Sequence, residues 1–281
     1  MTLCIGALAN VPSPLTPCIV LCFDYKIAND EWGSESQYKF HTLSHQFVAL
    51  FGGAPGKAKE LSMLYQARLK NTTLTLDNVV DGLAEPLANF KRQKADFYLK
   101  MTLCVSYQEF LGKGTKWFGK AMYEQRLAAI DNHQPKVEMI IAGFVEGQPY
   151  LFRLATAGEV NHLDLGVGGN SCMIGSGTLA ANVSLHARNH NSNTALSETM
   201  YYLYEAKKAG EASPWVGEKT RMHVLLPPEP GETQIRGQYL TDAGERFLQR
   251  LHRRYGPKPM KAWPVIPPDA LKTAHFKWPS S

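Results

Sequence analysis

Residues 2–24 read TLCIGALA-NVPSPLTP-CIVLCFD: two apolar runs, 2–9 and 18–24, on either side of a segment holding three prolines. Short apolar runs bounded by turn formers predict strands buried on both faces. The proline-bearing segment predicts a loop, so the two strands form a hairpin with a long tip. In strand geometry Cys18 and Cys22 point to the same face, where they read as buried apolar residues.

Downstream, the polar stretch 27–37 (IANDEWGSESQ) is a turn-rich connector. YKFHTLS (38–44) and QFVALFGG (46–53) read as further strands, the second ending in paired glycines. The period then changes. Residues 56–70 place Ala58, Leu61, Leu64, Tyr65 and Leu69 on one helical face. A second helix is expected over 76–103, kinked or bounded at Pro86. Residues 104–136 are ambiguous, with a glycine-rich piece (LGKGTKWFGK, 111–120) and a short helix near 122–130. Strands are expected again at 137–144, 150–155 and 170–174, helices at 178–188 and 195–210, and a closing strand at 221–226. From Pro227 the chain is proline-rich and carries one amphipathic helix, 242–254. Strands, two helices, strands, two helices, strand is not a β-α alternation. It suits stacked antiparallel sheets with paired helices outside them.

Composition adds bounds. With 281 residues, 44% hydrophobic and 20% charged, the chain is long enough for a sizeable core without disulfide staples. A net charge of +5 tolerates acidic partners but does not mark a nucleic-acid binder. Five irregularly spaced cysteines read as free thiols in a reducing compartment. The apolar start has no basic residue before Lys26, unlike a secretory signal, and no run reaches the ~20 apolar residues of a spanning helix. The expectation is a cytoplasmic protein with no membrane or nucleic-acid partner.

Most motif-like stretches fail on detail. GGAPGKAKE (52–60) is one residue short of a phosphate-binding loop and has Ala58 where a hydroxyl is needed. GVGG (166–169) opens no helix, and Ser176 in GSG lacks the first glycine of a nucleophile elbow. The nine histidines make no HExxH. The basic run 249–261 reads as a solvated helix face, with membrane-surface or nucleic-acid contact as the alternative. Thr2 is different. A small second residue permits removal of Met1, which leaves a hydroxyl nucleophile and a free α-amine on one residue. An α-amine ordinarily titrates at about 7.7–8.0 and can act as its base.

The succession Thr2, Asp24, Lys39, FGGAPGKAKEL, IIAGF-VEGQPYLFRLATAGEV, MIGSGTLAA and VGEKTRMHVL resembles the proteasome-type N-terminal-nucleophile (Ntn) hydrolases, including bacterial and archaeal proteasome β subunits. The resemblance covers 2–226, is looser over an insertion at about 104–136, and is absent from the extension 227–281. It implies an α+β fold, a four-layer α-β-β-α sandwich. It also implies roles: Thr2 as nucleophile, Lys39 as the cation beside it, Asp24 as the carboxylate orienting that lysine, the Gly52 N–H as oxyanion donor, and Ser176 as a supporting hydroxyl. No metal or organic cofactor is implied. The family usually carries an aspartate and a serine before the glycine of the last strand. Here Ser213 and Val216 stand there, ahead of Gly217.

The resemblance therefore implies a threonine peptidase or amidohydrolase. It would act on peptides or unfolded protein within a homo-oligomeric ring or stacked rings, fed by an ATP-dependent unfoldase. The loss of the aspartate and serine keeps a catalytically silent structural or regulatory ring subunit open, and a small-molecule Ntn amidase is a third reading.

Overall fold

The computed structural model describes residues 2–12, 15–24, 27–28, 33–34, 39–70, 72–133, 136–155, 164–165, 170–256 and 266–274. The GVGG stretch and most of the 25–38 connector lie outside them.

Strands β1 (Leu3–Pro12) and β2 (Leu15–Asp24) form the predicted hairpin, but the tip is short. Their register runs from Cys4 opposite Phe23 to Pro12 opposite Leu15, so most of the proline segment is strand. Proline is tolerated where its position needs no ladder donor, such as a strand end, and Pro12 and Pro17 lie near the hairpin tip.

Two tiny strands, β3 (Ile27–Ala28) and β4 (Gly33–Ser34), pair with each other. The next strands are β5 (Phe40–Thr42) and β6 (Phe47–Gly53). After three helices come β7 (Val137–Val145), β8 (Gln148–Ala155), β9 (Asp164–Leu165) and β10 (Ser171–Gly175). The last strands are β11 (Thr220–Leu226), β12 (Arg236–Leu240) and β13 (Leu271–Thr273). One antiparallel sheet has the order β10-β1-β2-β11-β12-β13 and the other β5-β6-β7-β8-β9.

The period of two in the strands sorts the core. On β1, Leu3, Ile5, Ala7 and Ala9 face α4 (Thr178–Ala187) and α5 (Leu196–Gly210), together with Cys18, Val20 and Cys22 of β2. The alternate residues Cys4, Ile19, Leu21 and Phe23 meet Val48, Leu50, Ile140 and Ala142 of the other sheet. Beyond that sheet, Phe47, Ala49, Met139 and Ile141 pack on α1 (Pro55–Leu69) and α2 (Val79–Leu103). Burial on both faces explains why these strands read as continuous apolar runs rather than alternations.

The helix α2 runs through Pro86 without ending there. The missing ladder bond costs about 3 kcal/mol and is outweighed by burial of Leu83, Pro86 and Phe90 on the inner face of the helix. The ambiguous 104–136 region is helical: α3 spans Tyr107–His133, broken at Gly119, whose φ of 71° is not helical. Cys104 in the left-handed region turns the chain, and α2 and α3 share a separate small core of Ala95, Leu99, Phe110 and Ile130.

The C-terminal segment extends the first sheet through β12 and β13, and α6 (Asp242–Tyr255) lays Leu248 on the core. Arg188 binds this segment down. Its guanidinium donates to both oxygens of Glu205 (2.6 and 2.7 Å) and to the Gly256 carbonyl (3.0 Å), with both charged side chains nearly out of solvent.

Between the sheets, His223 is buried and stacked 4.4 Å from Phe40. Burial, then the charge of Arg221, pulls its pKa down to about 4. The neutral ring therefore stabilises the fold fully above the unfolded value of about 6.5, and that contribution disappears as pH falls from there to about 4. The predicted result is a wild-type advantage over His223→Gln that shrinks by about 3 kcal/mol between pH 7 and pH 4 in urea unfolding.

Candidate functional site

The site lies where the start of β1, the end of β2 and the entry to β5 meet. Thr2 precedes the first strand residue, Asp24 closes β2 and Lys39 leads into β5. All three are buried, Thr2 at 3%, Asp24 at 0% and Lys39 at 5% exposure. Polar groups buried to this degree must satisfy one another, and they do. Thr2 Oγ1 donates to Asp24 Oδ1 at 2.6 Å, and Lys39 Nζ donates to Asp24 Oδ1 at 2.6 Å and also to Thr2 Oγ1. Asp24 is held from two more sides, by the N–H of Leu3 (3.0 Å, on Oδ1) and the N–H of Gly217 (2.8 Å, on Oδ2). A hydroxyl that hydrogen-bonds both an ammonium and a carboxylate is pre-oriented and polarised.

Two glycines fit the backbone around Thr2. At Gly52 a Cβ would come within 3.0 Å of Thr2 Cγ2, so the bare backbone of β6 lets the threonine lie against it. Gly52→Ala is predicted to cost about 1–3 kcal/mol, seen as a lower urea midpoint. Gly175 has φ of 101°, and a Cβ there would collide with Thr2 O at 1.8 Å. The next residue, Ser176, donates its backbone N–H to Thr2 O at 2.9 Å while its side chain lies exposed. The structure thus brings Thr2, Asp24, Lys39 and Gly52 together through side-chain bonds or direct packing, and joins Ser176 to them through its main chain.

The segment after α5 contributes backbone instead of hydroxyls. Ser213 and Val216 form a turn (Val216 N–H to Ser213 O, 3.1 Å), and Val216 is buried in the helix-side core. Lys207, fully buried on α5, donates to Glu218 O at 2.6 Å and to Glu211, and burial lowers its pKa. Lys207 thereby fixes the residue next to Gly217, whose N–H reaches Asp24.

Cys4 lies 3.9 Å from Thr2 Oγ1, but burial pushes its thiol up to about 12, against the opposing charge of Lys39. It stays protonated, the unreactive form of a thiol.

Sequence reasoning passed over Glu138 on β7. Its Oε2 accepts the Gly175 N–H at 3.1 Å, and its Oε1 accepts Arg153 Nη2 at 3.0 Å. The signal was available: in VEMIIAGFV the period of two puts Glu138 on the same face as Ile140 and Ala142, the face between the sheets.

No family model and no curated protein matches the sequence. Among solved structures, Anbu (ancestral beta-subunit) from Yersinia bercovieri matches with a TM-score of 0.58 and 13% identity, over 91% of this chain and 93% of that one. At that identity the likeness is one of architecture, and it shows for this chain a fold of the proteasome-like kind.

Proposed function

We propose that the protein is a threonine hydrolase of the proteasome-like type, acting on peptide or amide bonds. The observation that carries this reading is the convergence of Thr2 Oγ1, Lys39 Nζ and Asp24 Oδ1 at the head of β1. The fold is read as the four-layer α-β-β-α sandwich.

After Met1 is removed, Thr2 Oγ1 attacks the carbonyl carbon. Its proton passes to the Thr2 α-amine, through a water, and from there to the leaving amine as the C–N bond breaks. An α-amine, which ordinarily titrates at about 7.7–8.0, can both take and return that proton near neutral pH. Lys39 lowers the cost of negative charge on Oγ1, and Asp24 keeps Lys39 in place. In the β6–β7 ladder the Gly52 N–H faces its partner Glu138, so the developing oxyanion falls to a main-chain N–H just beyond Gly52, a donor of a kind worth about 3–4 kcal/mol at the transition state. Water then hydrolyses the Thr2 ester. Copies of the chain are taken to assemble in a ring or stacked rings, supplied with unfolded substrate by an ATP-dependent partner.

A second reading has its own observation. With Val216 apolar and Ser213 turned into a backbone bond, the segment after α5 offers a main-chain N–H to Asp24 where the family has side-chain groups. This favours a silent ring subunit. Turnover of fluorogenic peptides and of simple acyl amides, by wild type and Thr2→Ala, separates the readings. A peptidase hydrolyses the peptides and an amidase only the acyl amides, in each case by Thr2; a silent subunit hydrolyses neither.

A further inference from the structure

We infer that Glu138 is a positioning residue that sets the spacing between the Thr2 nucleophile and the end of β6 that packs against it at Gly52, an inference that rests on the function proposed above. Thr2 leads into β1 of one sheet, and Gly52 belongs to β6 of the other. Their separation is therefore a property of how the two sheets dock, which apolar packing leaves adjustable by fractions of an ångström. A directional bond at the site is what removes that freedom.

Glu138 supplies it. In the β6–β7 register it stands directly opposite Gly52, so its side chain leaves the sheet on the face that Gly52 turns to Thr2. From there its carboxylate crosses to the other sheet and accepts the N–H of Gly175 at 3.1 Å. Gly175 is opposite Leu3 in the β1–β10 register, its backbone presses on Thr2 O, and its neighbour Ser176 holds that same oxygen. One carboxylate thus ties the strand position paired with Gly52 to the turn that fixes the Thr2 main chain. Arg153, two residues from the Ala155 paired with Glu138 on β8, occupies the other carboxylate oxygen at 3.0 Å and fixes the rotamer. A carboxylate accepting a backbone N–H is a charge-assisted bond, stiffer than a neutral one.

The test uses the full chain and a β-lactone. In labelling, the Thr2 Oγ1–acyl bond forms, the ring C–O bond breaks, and the hydroxyl proton ends on the released ring oxygen. Maximal labelling rate and half-saturating lactone concentration are measured for wild type, Glu138→Ala and Glu138→Gln, with urea unfolding alongside. The inference predicts that Glu138→Ala lowers the maximal rate about tenfold or more and leaves the half-saturating concentration unchanged, since misplacement acts on the reacting geometry rather than on binding. Glu138→Gln, which can still accept the Gly175 N–H, recovers to within about threefold of wild type. An unchanged rate in Glu138→Ala, or equal losses in both variants, overturns the inference while leaving the Thr2 reading intact. If Glu138→Ala does not fold, Arg153→Met serves: it frees the Glu138 rotamer, and a maximal rate equal to wild type overturns the inference. A wild type that takes no label at all overturns the Thr2 reading itself, and this inference with it.

Discussion

Thr2→Ala is expected to remove peptide or amide turnover by roughly 10⁴-fold or more while the unfolding midpoint stays near that of wild type. The size of the loss follows from the absence of a substitute among the neighbours of Oγ1. The nearest other nucleophile, Cys4, is a buried thiol held up to about 12, and Lys39 and Asp24 are buried and engaged with each other. The fold survives because Lys39 and Asp24 keep each other, and Asp24 keeps the Leu3 and Gly217 N–H groups. Thr2→Ser retains a hydroxyl and an α-amine and is expected to keep measurable turnover. Steady-state assays and urea melts on the three proteins check both halves.

The second large effect is on the Lys39–Asp24 pair, and it is asymmetric. Asp24→Ala strands a buried ammonium, a hydroxyl and two backbone N–H groups at once, and is predicted to cost about 3–5 kcal/mol of stability. Lys39→Met leaves Asp24 with three donors, those of Thr2, Leu3 and Gly217, and costs distinctly less, about 1–3 kcal/mol. Both variants are expected to lose at least about 100-fold in acyl transfer, because each removes part of the polarisation of Oγ1. Urea titrations of the two variants side by side give the comparison. Equal stability losses would mean that Asp24 is not the hub of the site.

The apolar strands and the amphipathic helices were legible because their pattern is set by local periodicity, and the buried faces of β1, β2, β6, β7 and α1 follow it closely. The proline segment reads as a loop yet forms strand, because the rule that excludes proline from ladders is weaker near a hairpin tip. The helix α3 was obscured by its glycines, whose poor propensity is overridden by packing of Phe110 and Ile130 on α2. The short strands β12 and β13 carry no clear alternation, and their place is dictated by the open edge of β11. Thr2 stood out for its place behind Met1, whereas Asp24 and Lys39 stood out through resemblance alone, since nothing local ties residues so far apart in sequence. What brings them together is the register of β2 against β1 and the stacking of the sheets. The contributions of Glu138, Lys207 and Gly217 are tertiary in the same sense: each depends on a backbone group meeting a side chain of another element.

Everything proposed for the site depends on Thr2 being an N-terminal, activated nucleophile. Intact-mass spectrometry of the purified protein, before and after a β-lactone or epoxyketone, tests it most directly. The expected result is a mass lacking Met1 and the gain of one adduct, absent in Thr2→Ala. A retained Met1, or a Thr2 terminus that takes no adduct, would contradict it.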